Sequence, residues 1–123
     1  MGGYILIIED EVPIQQFLSM ALSREGYEVA VAPDGAAALD LIAQRDEPGV
    51  ILLDIWMPTM DGIEFLRTYR STLSRNTPIV VMTADHISFT NDAEIAAIDG
   101  ILIKPFSLDA MFEVIERHMQ RVD

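Results

Sequence analysis

Five side chains in this sequence are of the types needed around a phosphoryl group and a divalent cation. They are the carboxylates of Glu9, Asp10 and Asp54, the hydroxyl of Thr83 and the ammonium of Lys104. They stand just past four short apolar runs, Tyr4 to Ile8, Val50 to Leu53, Ile79 to Met82 and Ile101 to Ile103. Glu9, Asp10 and Glu11 are consecutive, and adjacent carboxylates at the end of a buried strand repel one another, a cost that a bound cation removes. Oxygen donors of this kind suit Mg2+, which takes octahedral oxygen coordination and keeps several waters. Asp10 and Asp54 are the expected direct ligands. Asp54 is also the candidate nucleophile, because a carboxylate can accept a phosphoryl group and become an acyl phosphate. Such transfer mainly demands positioning and charge neutralisation. With Mg2+ on one phosphoryl oxygen, Lys104 is expected on a second, and the Thr83 hydroxyl or nearby backbone N–H groups on the third.

Positioning these groups falls to a repeating strand-then-helix pattern. The four runs, with a fifth from Tyr27 to Ala32, are rich in Ile, Val and Leu or Ala and lack strict polar alternation, the pattern of strands covered on both faces of a parallel sheet. Between them lie helical stripes. Ile14, Phe17, Leu18, Ala21 and Leu22 mark the first, with Pro13 in its first turn and Gly26 ending it. Asp34 is the expected cap of a second helix, whose Leu39, Ile42 and Ala43 face inward. After a loop from Pro58 to Gly62, Ile63, Leu66, Tyr69, Arg70 and Leu73 fall in helical register. A helix between Ser88 and Ala97 has only small inward candidates and is expected to be the loosest element. The last helix starts from Ser107 and buries Leu108, Met111, Phe112, Ile115 and Met119. His86 and His118 are expected in a loop and on the surface. Alternating β and α units with right-handed crossovers give a three-layer α/β sandwich about a five-stranded parallel sheet. Ligands of such sheets bind at the carboxyl ends of the strands, where the five side chains fall.

The totals narrow the function. The 123 residues form one domain, 1–123, and half of them are hydrophobic, enough for a core without staples. With no cysteine there is neither a disulfide framework nor a thiolate metal site. A net charge of −12, from 20 acids and 8 bases, argues against direct binding of nucleic acid. No apolar run approaches a membrane span, so no membrane partner is expected and the expected location is the cytoplasm. The turn after the first strand reads Glu9-Asp10-Glu11 where a nucleotide site of this fold would place glycines. Acids there repel phosphate and attract a cation.

The matching segments, Ile8-Glu9-Asp10-Glu11, Leu52-Leu53-Asp54 with Met57-Pro58 and Met60-Asp61-Gly62, Met82-Thr83-Ala84 and Lys104-Pro105-Phe106, resemble the receiver domain of two-component response regulators over nearly the whole chain. The resemblance implies a flavodoxin-like fold with strand order 2-1-3-4-5, and a signalling switch rather than an enzyme acting on outside substrates. It implies that Asp54 accepts a phosphoryl group from a sensor histidine kinase or phosphotransfer protein. Asp10, Asp54 and the main-chain carbonyl of Trp56 would bind Mg2+, with Glu9 acting largely through water. Lys104 would pair with the phosphoryl group, Thr83 would sense it, and the Lys104-Pro105 bond would be cis. The helix between Ser88 and Ala97, the last strand and the last helix would form the face that controls a downstream effector or fused output domain. A phosphorylation-linked homodimer is compatible with this picture.

Two positions set this chain apart from the common pattern. Ile101 stands three residues before Lys104, where the family usually has an aromatic switch residue, and an aliphatic side chain cannot copy an aromatic ring's swing. Trp56 and Asp85 each lie two residues beyond a site residue. Trp56 is expected to shield the acyl phosphate from water, and Asp85 to repel the phosphodonor or orient a water. Two other readings stay open at this point: a degenerate receiver used only for docking, and an aspartyl-phosphate phosphatase. The second sits poorly with a first strand that ends Glu9-Asp10-Glu11 and with a chain too short for a cap over the site.

Overall fold

The computed structural model describes residues 3–55, 62–72, 76–84 and 98–119. Its strands are β1 (Ile5–Ile8), β2 (Val29–Ala32), β3 (Val50–Asp54), β4 (Ile79–Thr83) and β5 (Gly100–Ile103), and its helices are α1 (Val12–Arg24), α2 (Gly35–Gln44), α3 (Gly62–Thr72) and α4 (Leu108–Met119). The five strands form one sheet in the order β2-β1-β3-β4-β5, every neighbouring pair parallel. Trp56, Leu73, Asp85, His86 and the helix expected between Ser88 and Ala97 lie outside the described residues.

Alternation along each strand builds two cores from one sheet. Leu6, Ile8, Ile51, Leu53, Ile79 and Val81 point to one face, where Ala38 and Ile42 of α2 and Phe65, Leu66 and Tyr69 of α3 cover them. Ile5, Ile7, Val50, Leu52, Val80 and Met82 point to the other, against Leu18 and Leu22 of α1 and Met111 and Ile115 of α4. Each fully buried Leu or Ile contributes roughly 1.5–3 kcal/mol relative to leaving it in water. The central strands β1, β3 and β4 are buried throughout, whereas β5 at the sheet edge leaves Ile101 and Ile103 partly in solvent.

Local signals set the element ends. The Asp34 carboxylate accepts a hydrogen bond from the Ala37 N–H at 2.8 Å and starts α2. The Ser107 hydroxyl accepts one from the Ala110 N–H at 3.0 Å and starts α4. Gly26 follows α1 with φ of +92°, a conformation that other residues rarely adopt. α3 starts at Gly62 itself, the last residue of the loop expected from the sequence.

Three side chains sit differently from their sequence expectation. Phe17 is 58% exposed. The buried stripe of α1 centres on Leu18 and Leu22, and a residue one position before Leu18 is turned about 100° away from it. Ala43 is exposed for the same reason, its place in the core taken by Ala38. His118 is buried at 4% exposure rather than on the surface, because it lies seven residues after Met111 and three after Ile115, on the stripe that faces the sheet.

At the amino ends of the strands, away from the acidic cluster, polar groups tie the elements together. The Asp99 carboxylate accepts from the Ile79 N–H at 2.8 Å and pairs with Arg70 at 3.0 Å, while the Asp99 N–H donates to the Ile79 carbonyl at 2.7 Å. The buried Tyr69 hydroxyl donates to the Thr77 hydroxyl at 2.7 Å. These contacts fix the entry to β4 and β5 and so the register that carries Thr83 and Lys104 at the far end.

Candidate functional site

The ladder puts the ends of β1, β3, β4 and β5 in one row: Ile8 lies opposite Leu53, Asp54 opposite Met82, and Thr83 opposite Ile103. Asp54 and Thr83 are the last residues of their strands, Glu9 is the first after β1, and Lys104 the first after β5. Backbone bonds extend the row beyond the sheet. The Lys104 N–H donates to the Thr83 carbonyl at 2.8 Å, the Ile55 N–H to the Met82 carbonyl at 3.2 Å, and the Glu9 N–H to the Ala32 carbonyl at 3.1 Å. The Lys104–Pro105 peptide bond is cis.

The side chains converge. One carboxylate oxygen from each of Glu9, Asp10 and Asp54 lies within 4.8 Å of the others. Lys104 Nζ donates to Glu9 Oε1 at 3.3 Å and stands 3.7 Å from Asp54 Oδ2. Glu9, Asp54 and Thr83 are buried, whereas Asp10 is exposed on the rim. The cluster thus has a closed floor and an open mouth.

Its electrostatics are unbalanced without a further cation. Burial pushes the Glu9 carboxyl up from its ordinary value of 4.5 to about 7, and the neighbouring Asp54 charge adds to the rise. The Glu11 N–H, which donates to Glu9 Oε2 at 3.2 Å, and the Lys104 ammonium oppose it without cancelling it. Three acids around one ammonium leave an excess of negative charge in a half-enclosed space. An all-oxygen donor set with one open side, carrying that excess, fits Mg2+, which takes one or two carboxylates and keeps waters on its remaining positions.

Of the residues expected from the sequence, Glu9, Asp10, Asp54 and Lys104 meet, and Thr83 is joined to Lys104 through the backbone. Glu11 does not enter the cluster; it is exposed and precedes α1 as its N-cap. Ile101 lies on the outer strand opposite Val81, partly in solvent. Two residues that support the site were not singled out for it by sequence. Gly62 packs so closely on β3 that a Cβ there would lie 2.5 Å from Ile55 Cα and 2.9 Å from the Asp54 carbonyl oxygen. The side-chain amide of Gln15 donates to the Glu9 carbonyl at 2.5 Å. Gly62 stands in the sequence as the end of a loop and of the matching segment Met60-Asp61-Gly62, with nothing there to show its close approach to β3. Gln15 lies on the half-covered side of an amphipathic helix, where polar residues are usual.

Comparison with known proteins agrees with this geometry. The chain matches the model of the response regulator receiver domain over residues 5–116. It is 42% identical over 108 residues to the response regulator MprA of Mycolicibacterium vanbaalenii, covering 87% of this chain and 46% of that protein. It is 38% identical over 118 residues to MprA of Mycobacterium leprae, covering 95% and 51%. The chain therefore spans about half the length of the curated relatives it matches. Among solved structures, the Vibrio cholerae chemotaxis protein CheY4 superposes with a TM-score of 0.85 at 31% identity, covering 96% of this chain and 99% of that one. The Thermotoga maritima response regulator TrrA, solved in complex with Mg2+ and BeF, superposes with a TM-score of 0.82 at 29% identity, covering 94% and 97%. Among the described residues no helix is long and apolar enough to cross a membrane.

Proposed function

Because the chain belongs to the response regulator receiver domain family, we propose that it is a switch set by phosphorylation of Asp54, with a histidine kinase or phosphotransfer protein as donor. The observation that carries this reading is the Lys104 ammonium lying between Glu9 and Asp54 at the carboxyl edge of the sheet, with Asp10 closing an oxygen cluster on the open side. A signalling domain needs such a group to hold a phosphoryl for a time and to register its presence. Turning over an outside substrate is not required of it.

In the proposed reaction an Asp54 carboxylate oxygen attacks phosphorus. The bond from phosphorus to the donor's imidazole nitrogen breaks, and its electron pair stays with that nitrogen, which takes up a proton. Asp10, Asp54 and the Trp56 main-chain carbonyl would hold Mg2+, with Glu9 reaching it through water. When bound, the ion neutralises phosphoryl charge. Lys104, 3.7 Å from Asp54 before transfer, needs only a small displacement to pair with a phosphoryl oxygen. Thr83, at the end of β4, would offer its hydroxyl to another. That shift moves charge away from Glu9 and pulls on the β4 and β5 ends joined by the Lys104 N–H. The two conformations need differ by only a few kcal/mol for phosphorylation to change their populations.

The output reading is the face built by β5, α4 and the segment before β5, with an effector or fused output domain as recipient. Without an aromatic ring at Ile101, coupling on that face would run through the backbone rather than a ring swing. Trp56 and Asp85 are proposed to tune phosphoryl lifetime, the former as a shield and the latter by charge or water placement. The domain would work in the cytoplasm, and phosphorylation-linked pairing of two copies is compatible with it.

Intact mass after incubation with acetyl phosphate and Mg2+, with Asp54→Ala alongside, tests the reading. Gain of one phosphoryl group by the parent alone, prevented by prior chelation, is the expected result. No gain with any donor, including a phosphorylated kinase, would overturn it.

A further inference from the structure

The Glu9 carbonyl lies just past the end of β1, beyond the paired residues of the sheet, where a buried acceptor needs a partner from elsewhere. That partner is Gln15, whose Nε2 donates to it at 2.5 Å. The Gln15 backbone N–H donates in turn to the Glu11 carbonyl at 3.0 Å. That second bond is the ordinary first bond of the helix to its N-cap carbonyl, so what the Gln15 side chain adds is the tie from α1 to the Glu9 end of the turn. A second, independent observation gives this tie its weight. Glu11, the N-cap, offers no side-chain hydrogen bond to the helix, and Pro13 stands in the first turn, where a missing N–H is tolerated. The start of α1 is thus fastened to the turn by Gln15 reaching back, instead of by a cap.

The tie bears on the cation site through the planarity of the peptide group. The Glu9 carbonyl and the N–Cα bond of Asp10 share one plane, so fixing the carbonyl fixes the direction in which Asp10 leaves the strand. Asp10 is the exposed member of the cluster and has no strand to hold it. Glu9 is held by the Ala32 carbonyl, the Glu11 N–H and Lys104. The direction of the Asp10 N–Cα bond is what the Gln15 side chain bears on.

We propose that Gln15 is a positioning residue for Mg2+ binding, holding the turn from Glu9 to Glu11 so that the Asp10 carboxylate stays within reach of Asp54. This rests on the reading of the cluster as a Mg2+-dependent phosphoacceptor site and adds to it a residue that carries no charge and touches no ligand. Removing an outer partner of a metal ligand typically weakens binding 10–100-fold. Acting through a peptide plane and not on the ligand itself, loss of the Gln15 amide is expected to weaken it about 5–10-fold, at or below the lower limit of that range.

The test is calorimetric titration of Mg2+ into the parent chain, Gln15→Ala and Gln15→Met, with urea unfolding in chelator to compare the folds. Methionine keeps the length and the helix propensity but has no donor; alanine removes the side chain and keeps the backbone bond to Glu11. Both variants should bind Mg2+ about 5–10-fold more weakly. In acetyl phosphate reactions the half-saturating Mg2+ concentration should rise by the same factor while the saturating rate stays at the parent's value. Parent-like affinity in Gln15→Met would overturn the inference, whatever Gln15→Ala does, because packing would then be the cause. A lower saturating rate with unchanged Mg2+ affinity would overturn it as well. Absence of Mg2+ binding by the parent would instead overturn the reading of the site, and the inference with it.

Discussion

Replacing Glu9 with glutamine should raise the stability of the metal-free protein, relative to the parent, progressively from acid to alkaline pH. The Glu9 carboxyl is pushed up from 4.5 to about 7, first by burial and then by Asp54. Between those two values the folded chain binds this proton more tightly than the unfolded chain does. Stability from the group is therefore fully present below about pH 4.5 and is lost as pH rises through about 7. At about 1.4 kcal/mol for each tenfold change in proton affinity, the loss is about 3 kcal/mol. That is a large part of the 5–15 kcal/mol total typical of a single domain. Glutamine has nearly the same shape and carries no charge to desolvate, but its one oxygen can accept from the Glu11 N–H or from Lys104 and not from both, a constant cost that does not change with the titration of Glu9.

Urea unfolding followed by far-ultraviolet circular dichroism, in chelator, at intervals from pH 4.5 to 8.5, measures the effect. The other titrating groups are shared, so the informative quantity is the stability of Glu9→Gln minus that of the parent. It should climb by about 3 kcal/mol across the range, most steeply between pH 5 and 7. With saturating Mg2+ the parent should regain stability at high pH, since metal binding favours the deprotonated carboxylate and stabilises the folded state by mass action. The variant should gain less. A difference that stays flat with pH in chelator would refute the reasoning, for it would mean that the Glu9 carboxylate is as well solvated folded as unfolded.

Three further outcomes are expected. Gly62→Ala should destabilise the chain by about 1–3 kcal/mol or more, because its Cβ would sit 2.5 Å from Ile55 Cα, and the required shift of α3 from β3 displaces the Asp54 backbone; thermal unfolding together with the rate of phosphorylation by acetyl phosphate checks it, and a parent-like value of both would refute the close-packing account. Lys104→Met removes a positive charge 3.7 Å from Asp54, so calorimetry should find Mg2+ bound a few-fold more tightly, by relief of like-charge repulsion, while the phosphorylated form loses its structural change as followed by amide chemical shifts. Asp99→Ala takes the acceptor from the Ile79 N–H and the partner from Arg70, and should cost about 1–3 kcal/mol in urea unfolding with Mg2+ affinity unchanged, since the contact lies at the opposite end of the sheet.

The sheet was legible because its strands are written in one register of the sequence. Runs such as Ile5–Ile8 and Val50–Leu53 are apolar on both faces, short and rich in Ile, Val and Leu, the combination that a strand covered on both sides has. Among the described residues the helix stripes were legible to within one residue of their edges, which is where Phe17 and Ala43 were misplaced. Hydrophobicity alone does not say where a stripe stops, and an exposed Phe costs little enough to be tolerated. His118 shows the converse. Residue type suggested the surface, but its position seven residues after Met111 fixed it inside. Asp99 and Tyr69 hold the amino end of the sheet through contacts between residues up to 29 apart, and no local pattern announces such a pairing.

The acidic turn shows what strand-end logic delivers and where geometry must add to it. As sequence, Glu9-Asp10-Glu11 is one block of negative charge. Folded, it divides into three different parts, because successive residues leaving a strand point in different directions. Glu9 turns inward and is buried against Lys104, Asp10 stays on the rim beside Asp54, and Glu11 turns to solvent and gives the cluster only its backbone N–H. A block of three equivalent carboxylates would be an ordinary solvated surface. The division makes it a site, with Glu9 to hold the lysine and Asp10, beside Asp54, to meet a cation. It follows that exchanging Glu11 for a neutral residue should leave Mg2+ affinity within about twofold of the parent's, the residual change coming from a screened charge, whereas exchanging Asp10 should abolish binding in the millimolar range. Equal losses from the two would mean that the turn acts through its total charge, and the separate roles argued for its members would fall.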